Sequence, residues 1–344
     1  GGLGAAAQLA AKGVKVLLLE QHHVPGGFAT SFVRGRFEFE ASLHAFADIG
    51  PPGSQGTVRS LLADDLGVHV DWVEIPEAYR LILTGPGEDL DVTVPYGIEA
   101  FIDTIEEAAP GSRESVTKYI KLCQEVYEGI VYIGQSRGNP DRNVLTKQYS
   151  NFLKTCPYTM DQVADAIGVP ERARKILHAE WIYLGPPTSR LSFTVYAAML
   201  YLFLTTSAWI PKQRSHEFTL ALDARIRELG GHIEYNTKVE RILVEDGRVV
   251  GVETSKGDLI ETSHVISNAS PTLVYNRLIS PQAEVPDIAV RESATRTDGV
   301  SAFTVYLGLD ASPEELGLKE YSYFVMDSMN SDEMYDTFRT LDTP

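Results

Sequence analysis

Residues 1–20 read GGLGAAAQLAAKGVKVLLLE, and this stretch decides the fold class. An alanine-rich helical pattern over residues 2–13 ends at Gly13, and glycine is common just past the end of a helix. The apolar run Val14–Leu19 follows at once, and Glu20 closes it. A nearly unbroken apolar run is typical of a buried parallel strand. The stretch is therefore interpreted as the helix and second strand of a βαβ unit.

Glycines at the start of such a helix, with an acidic residue after the next strand, are typical of dinucleotide sites. Gly1 and Gly2 would let a pyrophosphate approach the free N–H groups of the helix N-terminus. Glu20, with Gln21 beside it, stands about 20 positions on, where an acidic residue binds the adenosine ribose. A glycine pair at a helix start also suits simple packing, so this first motif leaves both interpretations open.

A second glycine motif, VPGGFAT at residues 24–30, follows within a few residues. Gly26 and Gly27 permit another close approach of the backbone to a cofactor. The alternative is an ordinary glycine loop between a strand and the next element. The two motifs in this order, at short spacing, are much more specific than either motif alone.

Residues 14–46, VKVLLLEQHHVPGGFATSFVRGRFEFEASLHAF, resemble the N-terminal region of the phytoene desaturase, carotenoid isomerase and retinol saturase family of flavoproteins. The resemblance implies FAD, with Glu20 on the ribose and the Gly26–Thr30 segment, including Phe28 and Ala29, beside the pyrophosphate. It allows NAD(P) as an electron partner. In this family a hairpin follows, here Phe32–Phe39. Two departures are Glu40, where the family usually has Asp, and Phe28, where many members carry Arg.

The resemblance continues over residues 208–275 as a helix, a Gly-Gly pair and a three-strand meander. It implies that the backbone of Val239 meets the adenine, and that a strand over residues 265–269, which includes Asn268 and Ala269, returns to the cofactor. Residues 301–309, SAFTVYLGL, resemble a strand of the family's substrate domain. A further departure is Gln213-Arg214, which stands where family members often have Gly-Gly.

The predicted fold class is α/β, with an FAD/NAD(P)-binding Rossmann-like domain and an interleaved α+β substrate domain. The cofactor domain is predicted to span residues 1–75 and 212–275, and the substrate domain residues 76–211 and 276–344. Family members usually extend further at both ends, so we expect a truncated chain that binds FAD weakly or not at all by itself.

Elements of the predicted substrate domain are also visible in the sequence. Residues 69–96 alternate in polarity around a turn at Gly85-Pro86-Gly87, which predicts a hairpin. Residues 192–210 are the most apolar stretch and are expected to form a buried helix rather than a membrane span, which needs about 20 predominantly apolar residues. Aromatic residues between 181 and 209 favour, as a group, a pocket for an elongated apolar molecule.

His44 and Glu40 are the candidate catalytic residues. His44 follows the hairpin where the family chain runs close to the flavin, so it would donate a hydrogen bond to the flavin or act as an acid. Glu40 stands in an apolar frame that would raise its pKa. For each residue the alternative is a structural role, with the side chain satisfied by nearby hydrogen bonds.

The composition limits the partners. A net charge of −17 and the absence of a basic cluster exclude nucleic-acid binding, and no metal-ligand spacing occurs. Two cysteines, Cys123 and Cys156, outside any CxxC pair suit a reducing compartment, so a cytoplasmic location is expected, with peripheral membrane contact allowed by an apolar substrate.

The predicted function is an FAD-dependent oxidoreductase that transfers hydride between the flavin and an apolar polyene, isoprenoid or lipid-like substrate. The outcome is desaturation, saturation or isomerisation of C=C bonds. One rival is an amine-oxidase-like flavoenzyme. The other is a non-redox binding protein similar to Rab escort and GDP-dissociation-inhibitor proteins.

Overall fold

The computed structural model describes residues 1–296 and 301–340, and these group into two compact units. Both units are discontinuous in sequence. The first comprises Gly1–His44, Thr57–Val73 and Ile210–Asp298, and the second comprises Ala45–Gly56, Glu74–Trp209 and Gly299–Pro344, with the last four residues outside the described part.

This division differs from the predicted one mainly because residues 45–56 group with the second unit and residues 276–298 with the first, and two other boundaries shift by two residues. One reason is that Ile279–Ser280 pairs with a strand of the first unit. The assignment of the units to cofactor and substrate stays a prediction.

The described residues contain both helices and strands. The helices are α1 (Gly2–Ala11), α2 (Thr57–Ser60), α3 (Ile98–Ala108), α4 (Arg113–Gln135), α5 (Arg142–Gln148), α6 (Ser150–Thr155), α7 (Met160–Ile167), α8 (Glu171–Leu177), α9 (Phe193–Thr206), α10 (Ser215–Glu228), α11 (Pro271–Leu273), α12 (Asp287–Thr295) and α13 (Ser331–Thr340). The strands are β1 (Leu17–Leu19), β2 (Ser31–Arg34), β3 (Phe37–Glu40), β4 (Trp72–Glu74), β5 (Tyr79–Leu83), β6 (Asp91–Val94), β7 (Trp209–Pro211), β8 (His232–Glu234), β9 (Val239–Glu245), β10 (Arg248–Thr254), β11 (Leu259–Glu261), β12 (Ile279–Ser280) and β13 (Tyr323–Met326).

In the first unit, α1 leads directly into β1, and β1 pairs in parallel with β8. Ala6 and Ala7 of α1 pack with Leu222 and Ile226 of α10 in a small core. The predicted helix–strand sequence and its parallel pairing are confirmed, but the strand is shorter than residues 14–19. It is also less buried than expected, with Leu17 39% exposed. In the described chain β1 pairs with one strand only, β8.

The rest of the first unit is a hairpin and a four-stranded sheet. The predicted hairpin is present as β2–β3, with Ser31 opposite Glu40 at one end and Arg34 opposite Phe37 at the other. The meander β9–β10–β11 is antiparallel, and β12 adds to β9 in parallel. The predicted strand over residues 265–269 was wrong, because this segment is irregular and largely exposed. Its apolar residues resemble a strand, but no described strand pairs with them.

The second unit has a large helical core beside a three-stranded sheet. The predicted hairpin is present as β5–β6, and β13 pairs in parallel with the other edge of β5. Side chains from α3, α4, α7, α8 and α9 form one continuous core, which includes the fully buried Tyr119, Trp181, Phe193 and Tyr196. Burial of large aromatic side chains contributes strongly to stability because each removes 150–250 Å² from water, roughly.

The apolar stretch 192–210 forms α9, whose Phe193, Tyr196 and Leu200 lie in this core. Within residues 1–296 and 301–340, no helix combines the length and apolarity that a bilayer crossing requires. The predicted strand over residues 301–309 was wrong, since the segment is irregular and exposed, with Phe303 93% exposed.

Candidate functional site

The N-terminus of α1 lies against the segment that carries Asn268. Gly1 is the N-cap residue, and no side chain caps the free N–H groups of the first turn. A methyl group at Gly1 would lie 2.1 Å from Asn268 Oδ1, and one at Gly2 would lie 3.8 Å from Asn268 Cβ. A larger residue at position 1 would therefore require the Asn268 side chain to move. The fold thus brings together predicted site residues that are far apart in sequence, around a helix end suited to an anion.

Glu20 extends β1 by one residue, because its N–H donates to Glu234 O at 2.9 Å. The Glu20 carbonyl accepts the N–H of Thr237 at 2.9 Å, and its carboxylate Oε1 accepts the N–H of His22 at 2.7 Å. The carboxylate is therefore oriented by the backbone that follows the strand. The neighbouring Gln21 is exposed.

Val239 lies beside this strand end. It is the first residue of β9, two positions after Thr237, and its side chain packs in the same cluster as Leu19. The expected ribose and adenine contacts, Glu20 and Val239, are therefore neighbours in the fold. Ala269 is exposed, and its N–H donates to Ser267 Oγ at 3.3 Å.

The two glycines of the VPGGFAT loop differ in the space around their Cα atoms. Both adopt positive φ, +107° at Gly26 and +62° at Gly27. A methyl group at Gly26 would lie 2.3 Å from Ala29 O and 2.7 Å from Thr219 Cγ2 on α10, so the fold itself requires glycine there. At Gly27 nothing lies within 4 Å of that position, which leaves room beside the backbone. Phe28 is 83% exposed at the tip.

Two backbone hydrogen bonds hold the C-terminal end of the VPGGFAT loop beside the hairpin β2–β3. Ala29 N–H donates to Gly26 O at 3.0 Å, which closes the turn, and Thr30 O accepts the N–H of Ala41 at 2.9 Å. These two bonds fix the glycine loop relative to β2 and β3.

Glu40 binds the start of α10 through both carboxylate oxygens. Oε1 accepts the Ser215 N–H at 2.8 Å, and Oε2 accepts the Ser215 hydroxyl. Ser215 is fully buried, and it is the first residue of α10. A carboxylate at a helix N-terminus is stabilised by the free N–H groups there. This arrangement favours the structural interpretation of Glu40 over the catalytic one.

His44 is exposed, and its Nδ1 lies 3.2 Å from Ser42 O. The geometry thus gives His44 a fixed local orientation after the hairpin.

A polar cluster on the hairpin was not predicted. The Ser31 hydroxyl donates to Glu38 Oε1 at 2.7 Å and also contacts His216 Nδ1. Arg214 Nε lies 3.2 Å from Glu38 Oε2. The hydrogen bond from Ser31, aided by the charges of Arg214 and His216, holds the pKa of Glu38 below its usual value. In the sequence, the only indication of this cluster was Arg214, which stands where the resembling family often has a glycine.

A buried acid in the second unit was also missed. Glu180 follows α8 in a short 3-10 helix, Ala179–Tyr183, and is 4% exposed. Burial raises its pKa to about 8 and lowers that of the adjacent buried His178 to about 3. His178 has a partner, since its Nε2 lies 3.2 Å from the Tyr119 hydroxyl. The burial of Glu180 could not be predicted from the sequence, because nothing in the segment Ala179-Glu180-Trp181 distinguishes it from an ordinary helical turn.

The chain is similar to known flavoproteins over nearly its whole length. The model of a family described as "Flavin containing amine oxidoreductase" matches residues 1–340. The all-trans-retinol 13,14-reductase of Danio rerio is 25% identical over 352 residues, covering 99% of this chain and 57% of the relative. The chloroplastic prolycopene isomerase of Daucus carota is 24% identical, covering 90% of this chain and 51% of the relative.

A lycopene-forming phytoene desaturase of Pseudescherichia vulneris is 24% identical, covering 92% of this chain and 63% of that relative. The chain thus spans about 57% of the length of the retinol reductases that it matches. These relatives are of the group that residues 14–46 resemble, so that resemblance is confirmed.

Among solved structures, an oxidoreductase of Methanosarcina mazei matches with a TM-score of 0.60 and 14% identity. The match covers 86% of this chain and 63% of that one. At this identity the likeness concerns the fold, and it confirms the predicted α/β class.

Proposed function

Because this chain belongs to the flavin-containing amine oxidoreductase family, we propose that the protein is an FAD-dependent oxidoreductase acting on C=C bonds of an apolar polyene or lipid-like molecule. One observation carries the proposal: the cofactor residues inferred from two distant parts of the sequence converge. Gly1 meets Asn268, and Glu20 lies beside the start of β9, where Val239 stands.

The residues present fit FAD. The uncapped N–H groups at the start of α1 would bind the pyrophosphate, since a helix N-terminus favours anions. The carboxylate of Glu20, oriented by the His22 N–H, would accept the ribose hydroxyls. Gly27 leaves room for a second backbone approach. When bound, FAD would supply the hydride chemistry, and the protein supplies binding and orientation.

The substrate class follows from the relatives whose names state retinol, prolycopene and phytoene as substrates or products. All of these are long apolar polyenes. We therefore propose saturation, desaturation or isomerisation of a conjugated or isoprenoid chain, with peripheral membrane contact as the route by which such a molecule arrives. An amine substrate is the second candidate, favoured by the amine oxidoreductase description of the family.

The cofactor assignment is tested with the protein expressed from its complete gene. Glu20→Ala is expected to weaken FAD binding about tenfold or more, because hydrogen bonds to a charged group contribute about 1.5–3 kcal/mol. Glu234→Ala is the matched control, since Glu234 lies at the end of the paired strand β8. Flavin fluorescence titration measures both affinities. Equal effects of the two substitutions would contradict the assignment.

We propose His44 as a proton donor or flavin hydrogen-bond donor, on the basis of its position after the hairpin. His44→Ala is expected to lower kcat about 100-fold or more, as loss of a general acid does, and to weaken FAD binding by no more than about tenfold, the contribution of one hydrogen bond. The control is His232→Ala, an exposed histidine of β8 in the same unit. A His44→Ala protein with wild-type kcat would rule this role out.

A further inference from the structure

The side chain of Glu180 lies in the core of the second unit without a polar partner. The residue is 4% exposed. Among the described residues no side chain or backbone group hydrogen-bonds or ion-pairs with its carboxyl group, whereas neighbouring polar groups are bonded. Acidic residues are almost never fully buried unless paired. Such a group needs a partner from outside the protein, which is a water molecule, an ion or a ligand that the carboxyl would bind.

Four tyrosines of the same unit lie within electrostatic range of this carboxyl group. Burial raises the pKa of Tyr79, Tyr96, Tyr183 and Tyr196, and the charge of Glu180 raises it further. The hydroxyls of Tyr79 and Tyr196 donate to the carbonyls of two residues of α8, at 3.0 and 2.7 Å. Neither hydroxyl therefore donates to the acid.

The aromatic group continues toward solvent in this unit. Tyr183 is 48% exposed, whereas Tyr79 and Tyr196 are buried. The next residue after Glu180, Trp181, is fully buried, and its indole N–H lacks an acceptor. Mostly apolar surface with a few polar groups is the composition of small-molecule sites.

The protonation state of Glu180 limits the kind of functional group that it can bind. With a pKa raised to about 8 by burial, Glu180 holds its proton at neutral pH. A neutral carboxylic acid both donates and accepts a hydrogen bond. An alcohol has the same pair of functions, so the two groups are complementary. A hydrocarbon chain beyond the hydroxyl would be accommodated by the aromatic side chains.

We propose that Glu180 is a specificity-determining residue that binds the terminal hydroxyl group of a long apolar substrate. The inference rests on the proposed function, because it assumes that the second unit binds the apolar substrate. It adds that this substrate has one polar end, and it names the residue that recognises that end.

The test measures binding of two probes that differ by one oxygen atom. The probes are all-trans-retinol and the corresponding hydrocarbon in which hydrogen replaces the hydroxyl group. Both quench tryptophan fluorescence when bound near an indole, and Trp181 adjoins Glu180. The protein from its complete gene, loaded with FAD, is expected to bind the alcohol about tenfold or more tightly than the hydrocarbon, because a buried unpaired carboxyl is costly.

Three variants assign this preference. Glu180→Leu is expected to bind both probes equally, with the hydrocarbon affinity at least that of the wild type. Glu180→Gln keeps a donor and an acceptor, so its preference stays within about threefold of the wild type. Glu107→Leu, at an exposed position on α3, is the control and keeps the wild-type ratio.

The outcomes separate the inference from the function on which it rests. An alcohol preference that persists in Glu180→Leu, with native circular dichroism, would overturn the role of Glu180 alone. Binding of both probes without any preference in the wild type would do the same. Binding of neither probe would contradict the proposed apolar substrate, and this inference with it.

Discussion

Arg214 adopts a backbone conformation that suits glycine. Its φ of +71° and ψ of 178° lie in a region that is essentially restricted to glycine. Its guanidinium pairs with Glu38, and the Arg214 side chain is 44% exposed. A solvent-exposed ion pair contributes about 0.2–1 kcal/mol, whereas backbone strain of this kind costs about 1–3 kcal/mol. The strain therefore exceeds what the ion pair returns, which accounts for glycine at this position in the resembling family.

Replacing Arg214 separates these two effects. Arg214→Gly and Arg214→Ala both lose the pair with Glu38. Only glycine relieves the strain, so Arg214→Gly is expected to exceed Arg214→Ala in unfolding free energy by about 1–2 kcal/mol. Urea denaturation of both variants measures the difference. An alanine variant as stable as the glycine variant would show that the backbone is unstrained.

Glu180 also predicts a pH dependence of stability. Its pKa rises from 4.5 in the unfolded chain to about 8 in the folded protein, so folding retains a proton that unfolding releases. Its contribution to stability is therefore complete below pH 4.5 and is lost as the pH rises toward 8. The neighbouring His178 has a pKa lowered to about 3, so it affects stability below pH 6.5 instead.

Between pH 6.5 and 8 the wild type is expected to lose about 2 kcal/mol of unfolding free energy relative to Glu180→Gln, which carries no titratable group there. Chemical denaturation across this range measures the difference. Glu107→Gln, an exposed control, should follow the wild type. Parallel curves for the wild type and Glu180→Gln would contradict a buried, unpaired acid.

At the scale of elements, the start of α10 depends on a residue from β3. The carboxylate of Glu40 accepts two hydrogen bonds from the buried Ser215. Removing the acceptor leaves a buried N–H and hydroxyl unpaired, which costs about 1–3 kcal/mol. Glu40→Ala is therefore expected to destabilise the protein by that amount.

A double-mutant cycle with Ser215→Ala isolates the contact. The two substitutions together are expected to cost less than their sum, with a coupling of about 1 kcal/mol, because the hydroxyl bond is removed in each. Thermal or urea unfolding of the four proteins provides the cycle. Strict additivity would show that the side-chain bond contributes nothing.

Helices and hairpins that depend only on residues close in sequence were predictable. The helix α1, the hairpins β2–β3 and β5–β6, and the meander β9–β11 each join residues close in sequence, so alternation and turn residues suffice. The strands expected over residues 265–269 and 301–309 are absent from the described structure because a strand also needs a partner. β13 was missed for the converse reason, since its pairing with β5 joins distant residues.

The residues of the candidate sites also differ in how far the sequence predicts them. Glu20, Gly26 and Gly27 could be proposed from the sequence because residue type and spacing carry the chemistry of dinucleotide binding. The position of Asn268 against Gly1 agrees with the resemblance. The burial of Glu180 depends on helices from separate parts of the chain, and no local pattern encodes that packing.

At the scale of the molecule, we propose that the first unit binds the cofactor and the second binds the substrate. The first holds the glycines and Glu20, and the second holds the larger aromatic core with its unpaired acid. The chain spans about 57% of the length of the retinol reductase of Danio rerio.

The most direct test of the central claim is substrate turnover by the protein expressed from its complete gene and loaded with FAD. All-trans-retinol and putrescine are each incubated anaerobically with the oxidised and the reduced enzyme. The flavin spectrum and the product mass are then followed. The account predicts that the polyene changes by two hydrogen atoms as the flavin changes redox state, or isomerises at constant mass only when flavin is present. Reduction of the flavin by the amine, with the polyene unchanged in every reaction, would contradict it.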